Sequence, residues 1–457
     1  MNYKLLPASI VHSQADAAVA RNFRDQSKAS GLGDTNTKMA KIIVVGAGAS
    51  GLMAAGQAAS RGAEVFLLEK KKRPGNKIAI SGKGRCNLTN TMDIDGFLEH
   101  FNRSGRFLRQ PFSHFFSPQL MQFFEELGVP LISERGGRVF PASGSASDVV
   151  EAMLDWLKRC GVTLNTSIAV DRILRQNGFV TGVCCRETTF TADSVVLATG
   201  GASYPATGST GDGYTLAQSC GHTLTPLRPA LVPLLVDDPV VHTLAGLDLK
   251  NAGVRIYVND KRKISSFGEV SFTRFGIGGP IILTHSLFIV DNIRAGKKIT
   301  LSLDLKPALD DRKLDNRLLR DFEKRCHENI DSVLRGLLPR EMVAASLHFC
   351  SIDGHKSAGQ ILSQERIRLR TWLKDFRFSI SGYRPLSEAI VTAGGIKVQE
   401  IDPNTMESRK TKGLYLTGEL LDIHGDTGGY NLQAAFSTGW LAGRSAASAA
   451  QSASSPT

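Results

Sequence analysis

The stretch KIIVVGAGASGLMAAGQAA, residues 41 to 59, decides how this chain folds. KIIVV is a short β-branched run closed by glycine, the pattern of a buried parallel strand. GAGASG then sets Gly46, Gly48 and Gly51 at G-x-G-x-x-G spacing ahead of an alanine-rich helix. Gly46 permits a tight turn, Gly48 lets a pyrophosphate approach the backbone, and Gly51 lets the helix pack close to the strand. Ala49 and Ser50 stand at the helix N-terminus, where unpaired N–H groups and the positive dipole end favour an anion. AEVFLLE reads as a second strand ending in Glu69, about where an acid meets a ribose hydroxyl, with Lys70 following. Strand, glycine turn, helix, second strand and terminal acid, in that order, predict a dinucleotide-binding α/β domain of the Rossmann type.

Composition sets the frame. A chain of 457 residues, 42% hydrophobic, holds two or three globular units and is too apolar to be disordered. Its seven cysteines are odd in number, Cys184 and Cys185 are adjacent, and no C-x-x-C or metal-type spacing occurs. Neither a disulfide framework nor a metal site is expected, and the reducing cytoplasm is the natural compartment. No apolar run approaches the ~20 residues that span a bilayer, so a soluble protein is expected. The net charge of +12 favours contact with anions. The cations are scattered, however, and EKKKR (69 to 73) simply follows a strand, so a solvated basic surface is the simpler reading and nucleic acid is not an expected partner. Residues 1 to 38 read as a flexible extension ahead of a domain start at Met39, with Asp16, Asp25 and Asp34 disfavouring a transit peptide. The low-complexity tail, 447 to 457, is expected to be disordered.

Three further stretches carry a family resemblance: GNKIAISGKGRCNLTN (75 to 90), VVLATGGASYPATGSTGDGY (195 to 214) and GLYLTGELLDIHGDTGGYNLQAAFSTGWLAG (413 to 443). From Met39 to Gly443 the chain resembles a bacterial family of FAD-binding flavoproteins, the BaiN-like or aminoacetone oxidase family of NAD(P)/FAD-dependent oxidoreductases. Prolines 226, 229, 233 and 239 mark an exit from the sheet, and a hairpin turning at Asn259 and Asp260 follows. The sequence is charged and helical from 308 to 375, and GYRPLSEAIVTAGGI leads back. The expected fold is therefore α/β: a discontinuous Rossmann-type FAD-binding domain, residues 39–225 and 376–446, with an inserted β-barrel-like plus helical domain, 226–375. The resemblance implies that the insertion covers the flavin. At Arg274 the chain departs from the histidine-containing form of the family.

Candidate cofactor residues fall in these motifs. In SGKGRCN two glycines bracket a cation, so Gly82, Lys83, Gly84, Arg85, Cys86 and Asn87, with Lys77 just before them, are expected along the pyrophosphate or flavin; Cys86 reads as a neutral buried thiol. SVVLATGG is a strand ending at Thr199, Gly200 and Gly201, and Asp212 opens a helix either as a cofactor contact or as a cap. GLYLTGE ends at Gly418 and Glu419, on the carboxyl edge where α/β sheets bind ligands. The loop before the last helix supplies Gly428, Gly429, Tyr430, Asn431 and Leu432, its glycines expected because the isoalloxazine lies close. The resemblance gives Glu419 to the ribityl or pyrophosphate part and Tyr430 to Leu432 to the flavin end.

Tyr204, His424 and Tyr430 are the candidate catalytic proton donors, while His285 and Arg274 in the insertion are candidates to meet a substrate. No second Rossmann fingerprint is visible, so NAD(P)H binds as a transient electron donor or electrons come from another source. The leading reading is an FAD-dependent oxidoreductase passing hydride through flavin N5 to a small conjugated or ketone-bearing substrate. An amine or aminoketone oxidase producing hydrogen peroxide and a flavin-bound RNA-interacting protein are the alternatives. The sequence selects neither a substrate nor an oligomeric state.

Overall fold

A computed structural model describes residues 39–454; the expected extension at 1–38 lies outside them. The chain divides into two compact units, one formed by the chain up to Leu227 and from Thr392 onward, the other by Arg228–Val391.

The first unit is built on a five-stranded sheet whose strands are Lys41–Val45 (β1), Glu64–Glu69 (β2), Thr163–Thr166 (β3), Ser194–Leu197 (β4) and Leu414–Leu416 (β5). Their spatial order is β5-β4-β1-β2-β3, and every neighbouring pair is parallel. From β1 the chain first adds strands on one side and then crosses to add β4 and β5 on the other. The order therefore reverses between β1 and β4, the switch point at which open α/β sheets form a ligand crevice outside the carboxyl ends of the strands. The central strands are mainly apolar and buried: Ile42, Ile43 and Val44 on β1 and Val195, Val196 and Leu197 on β4 are all wholly inaccessible. Helix α1, Ala49–Ala59, follows β1; helix α2, Asp212–Ser219, follows the glycine segment after β4; helix α3, Tyr430–Ser454, closes the chain. α3 crosses α1 with its backbone nearly in contact, since a Cβ on Gly439 would stand 2.2 Å from the Ser50 carbonyl oxygen.

α3 corrects one expectation. The tail expected to be disordered from 447 continues the helix to Ser454, and the last three residues lie outside the described part. An alanine- and serine-rich segment extends a helix readily once the costly nucleus is supplied, here by the packing of the preceding turns.

The second unit holds a seven-stranded sheet in which all pairs are antiparallel. Its long hairpin, Asp248–Val258 and Lys261–Thr273, turns at Asn259 and Asp260 with φ of 47° and 62°, the left-handed pair a two-residue hairpin requires. The two edge strands of the sheet, Phe376–Ile380 and Gly382–Tyr383, are separated in sequence by Ser381 alone. A sheet whose opposite edges are joined by one residue must curl on itself, which is the barrel-like form expected. The helices Asp311–Lys324, Ile330–Leu334, Arg340–Cys350 and Ser363–Lys374 fill the charged stretch. The expected return at 376 is too early: residues 376–383 are sheet strands of the second unit, and the chain re-enters the first at Thr392. Phe376 and Phe378 alternate with polar residues like any antiparallel strand, and nothing local to them marks the unit they serve.

Candidate functional site

The turn after β1 separates two kinds of glycine. Gly46 has φ of 99°, and a Cβ there would lie 2.6 Å from the Ala198 carbonyl oxygen, so the protein itself demands glycine. Gly48 has φ −84° and ψ −171°, open to any L residue, and no protein atom lies within 4 Å of where its Cβ would stand. Nothing in the chain explains a glycine at this position, and space for an incoming ligand does. Gly48 is also the cap of α1, which has no side-chain cap and no acidic residue in its first turn, so the N–H groups of Ala49, Ser50 and Gly51 and the positive helix end are left for an anion. Glu69, buried at the end of β2, accepts hydrogen bonds from the amides of Ala47 and Lys71, both at 2.8 Å. It thus anchors the glycine turn, and its remaining lone pairs serve the expected ribose contact. Lys70 reaches Asp212 at 2.7 Å and Thr210 at 2.5 Å. Asp212 is therefore an ion-pair partner in the first turn of α2, whose N-cap is Gly211.

Beyond the carboxyl ends of β4 and β5 lies a polar knot. Lys77 Nζ stands 2.6 Å from Glu419 Oε2 and donates to Ser203 Oγ at 2.7 Å. Glu419 Oε1 accepts from Ser203 Oγ at 3.0 Å and from the Thr392 amide at 2.8 Å, while Thr392 Oγ1 accepts from the Ala202 amide at 2.9 Å. Burial pushes the Glu419 carboxyl up, but the Lys77 charge and hydrogen bond, the Thr392 amide and the Ser203 hydroxyl outweigh it and hold the group below the usual carboxylate range. The knot fastens Gly201, whose Cβ would lie 2.5 Å from Thr392 Oγ1, and Gly418, whose Cβ would lie 2.7 Å from Ser50 Oγ. Gly200 sits against Ser209, and the Thr199 hydroxyl is buried against Gly213. Tyr204, the next residue along from Ser203, is half-buried with φ of 51°.

The third group brings residues 81–102 against 422–433. Gly82 and Lys83 are both left-handed, at φ 57° and 59°, a conformation that strains a lysine by about 1 kcal/mol. Arg85, expected along the pyrophosphate or flavin, pairs with Glu134 and lies over the Phe140 ring at 4.3 Å. Cys86 is wholly buried and burial pushes its thiol up to about 12, the neutral group expected. The Asn87 carboxamide, oriented to satisfy its neighbours, accepts from the Gly429 amide at 3.1 Å. Gly429 has φ of 97°, and its Cβ would stand 2.4 Å from the Thr89 carbonyl oxygen. The expected reason for this glycine, a nearby isoalloxazine, is therefore corrected: the backbone at Thr89 requires it. Gly428 likewise would crowd the Tyr430 ring. Asn431 clamps the loop, accepting from the Gly425 amide at 2.8 Å and donating to the Gly425 and Asp426 carbonyls at 2.9 and 3.1 Å.

Tyr430 is buried in an aromatic cluster. Its ring stacks on His100 at 4.2 Å and meets Phe97 edge-on at 4.7 Å, and its hydroxyl reaches the Met92 sulfur at 3.3 Å. Burial, with the Asp426 charge, pushes its phenol up to about 12. His100 in turn faces Asp426 at 3.0 Å, and the Asn102 amide donates to the His424 carbonyl at 3.1 Å. Leu432 is half-buried against the core. Sequence reasoning missed Met92, Phe97, His100 and Asp426; the phenylalanines recurring through 97–116 were the one available signal, and they mark a packed face without saying against what. In the second unit His285 Nε2 meets Ser266 Oγ at 2.7 Å and Arg274 lies over Phe275 at 4.7 Å.

Switch-point crevice, open glycine and bare helix end together define a dinucleotide-binding Rossmann protein. Residues 40–445 match the family described as HI0933-like protein Rossmann domain, and the chain belongs to that family, a family of FAD-dependent oxidoreductases. It is 35% identical over 412 residues to the 3-dehydro-bile acid delta(4,6)-reductase of Clostridium scindens, covering 90% of this chain and 99% of that protein. It is 29% identical over 401 residues to the ribosomal RNA dihydrouridine synthase of Escherichia coli, covering 87% and 96%. Among solved structures it is similar to the open form of a flavocytochrome c3 fumarate reductase, at a TM-score of 0.45 and 17% identity over 94% of this chain and 81% of that one. FAD is the cofactor. The residues present fit it: the amides at Gly48–Gly51 and the open Gly48 suit its pyrophosphate, and Glu69 its adenosine ribose. No helix among the described residues is long and apolar enough to cross a membrane.

Proposed function

We propose that the protein is an NAD(P)H-linked reductase that saturates a carbon–carbon double bond conjugated to a carbonyl. The observation that carries this reading is the near end-to-end alignment, at 35% identity, with a reductase named for the delta(4,6) bonds of a 3-dehydro bile acid. The name of the E. coli relative describes a like bond change in another molecule, since dihydrouridine is uridine with its conjugated ring double bond saturated. Bound FAD supplies the two-electron hydride chemistry. The chain binds and orients it through the glycine turn and the Lys77–Glu419 knot, and the aromatic cluster around Tyr430 keeps water from one side of the 422–433 segment.

Such a reduction also consumes a proton, at the carbon beside the carbonyl. Tyr430 is withdrawn from that role, because its hydroxyl is engaged with Met92 and its phenol is too weak an acid. We assign the proton to His424, a buried imidazole on the 422–426 loop and the group whose ordinary range lies closest to neutral pH. His424→Asn is expected to keep FAD and its reduction by NAD(P)H while slowing transfer to the acceptor about 100-fold. Separate measurement of the two half-reactions checks this; an unchanged acceptor rate across pH passes the role to Tyr204, tested as Tyr204→Phe.

The reading itself is tested by mixing anaerobically reduced enzyme with α,β-unsaturated ketones. Reoxidation of the flavin with one equivalent of saturated product supports it, whereas hydrogen peroxide formed from an aminoketone in air supports the oxidase. A second reading, reduction of uracil rings in RNA, is favoured by the net charge of +12 together with the E. coli relative. It expects a two-hydrogen mass gain in RNA nucleosides and tight, salt-sensitive RNA binding.

A further inference from the structure

The first unit contains a cavity of about 530 Å³, lined among others by Asp95, Glu99, Asn102, Arg103, Arg106 and Arg109. That volume lies within the ~300–1,000 Å³ of small-molecule sites. The arginines come three apart, across a 3-10 turn, Arg103–Leu108, that leads into the helix Arg109–His114. At three residues per turn such positions eclipse, so the sequence RSGRFLR lines up three guanidinium groups along one face. Arg109 is paired with Asp95. Among the described residues no ion-pair partner is recorded for Arg103 or Arg106, and both are exposed. Asn102 adds a second feature: its amide and side-chain nitrogens are spent on the His424 and Asp422 carbonyls, while its Oδ1 is buried without a hydrogen-bond partner. A buried acceptor left unsatisfied is uncommon enough to need a reason. Two free guanidinium groups in the lining of one cavity, with Asn102 and Glu99 lining it as well, match a ligand that carries phosphate together with polar groups. A nucleotide is such a ligand.

We propose that this cavity binds the phosphate-bearing adenosine end of NADPH, with Arg103 and Arg106 on its phosphates. The inference rests on the NAD(P)H-linked reading above. It supplies what the sequence lacks, since the one Rossmann fingerprint is taken by FAD and the donor's phosphates must find cations elsewhere. Asn102 also ties the cavity wall to the 422–426 loop, on which His424 stands. The 2′-phosphate gives two free arginines a use that NADH does not, so NADPH is the expected donor.

The test uses the FAD-loaded protein and the variants Arg103→Ala and Arg106→Ala, surface changes expected to leave the melting temperature unaltered. Adenosine 2′,5′-bisphosphate, which cannot reduce flavin, is titrated calorimetrically, and flavin reduction by NADPH is followed anaerobically in stopped flow. The expected result is bisphosphate binding to wild type in competition with NADPH, and a loss of about tenfold or more in both affinities in each variant, as for lost charge-assisted hydrogen bonds. The limiting reduction rate and reduction by dithionite stay unchanged. Reduction of wild type and variants at the same NADPH affinity overturns the site and leaves the reductase reading standing. A weakened KM for the acceptor alone overturns it in favour of a substrate anion. A wild-type flavin that bleaches with dithionite but with neither nicotinamide removes the underlying reading, and this proposal with it.

Discussion

Gly48→Val is expected to give a folded protein that purifies without flavin. The position tolerates a side chain as far as the polypeptide is concerned: its backbone lies in the extended region and nothing stands within 4 Å of the new Cβ. The fold loses only the difference in capping preference, about 1 kcal/mol. The isopropyl group occupies the space left for the pyrophosphate and blocks approach to the amides of α1. Gly46→Ala, two residues away, is expected to do the reverse damage. Its backbone is left-handed at φ 99° and its Cβ would meet the Ala198 carbonyl oxygen at 2.6 Å, so the protein should lose at least ~2 kcal/mol of stability before any cofactor is considered. Thermal melting of the two apoproteins, beside their flavin content as purified, separates the two roles. Equal stability losses with flavin retained in Gly48→Val would show that the open space at Gly48 has another use.

The second large effect is expected at the knot. Lys77→Met leaves Glu419 largely buried with its strongest partner gone, and a stranded charge of this kind costs about 3 kcal/mol. The double variant Lys77→Met/Glu419→Gln removes the stranded charge and is expected to recover part of that loss, a coupling that denaturant titration of the four proteins measures directly. Acid dependence follows from the same group. The folded-state Glu419 carboxyl lies below its unfolded value, so its contribution is fully present above the usual glutamate range, about pH 4.3, and is lost as pH falls through the lowered value. Wild type should therefore weaken on acidification below that range more steeply than Glu419→Gln. Because the knot joins the segments at 77, 203, 392 and 419, flavin retention should fall together with stability.

What the sequence made legible, it did through local pattern. The strand, turn and helix at 41–59 could be read from a β-branched run, three spaced glycines and alanines, each acting within a few residues. The hairpin at Asn259 and Asp260 was equally local. The site residues at Lys77 and Glu419 could be named from their motifs, but their pairing spans 342 positions and exists only because β4 and β5 end side by side. The partner of Arg85 was hidden for a related reason: a cation beside glycines suggests an anionic ligand, and the Glu134 that pairs with it belongs to a separate hairpin. Gly429 shows the limit of reading glycines as ligand markers, since its crowding comes from the chain's own backbone at Thr89, whereas Gly48 is crowded by nothing. The strands at 376–383 carry the alternation of any antiparallel sheet, and only pairing partners assign them to the second unit.

The most direct measurement is an anaerobic titration of the FAD-loaded protein with NADPH, and separately NADH, followed by addition of an α,β-unsaturated ketone, with the flavin spectrum recorded throughout. The expected result is stoichiometric bleaching by NADPH and recovery of the oxidised spectrum on adding the ketone, with the saturated ketone as product. A flavin that stays oxidised under both nicotinamides, yet bleaches with dithionite, would contradict an NAD(P)H-linked reductase.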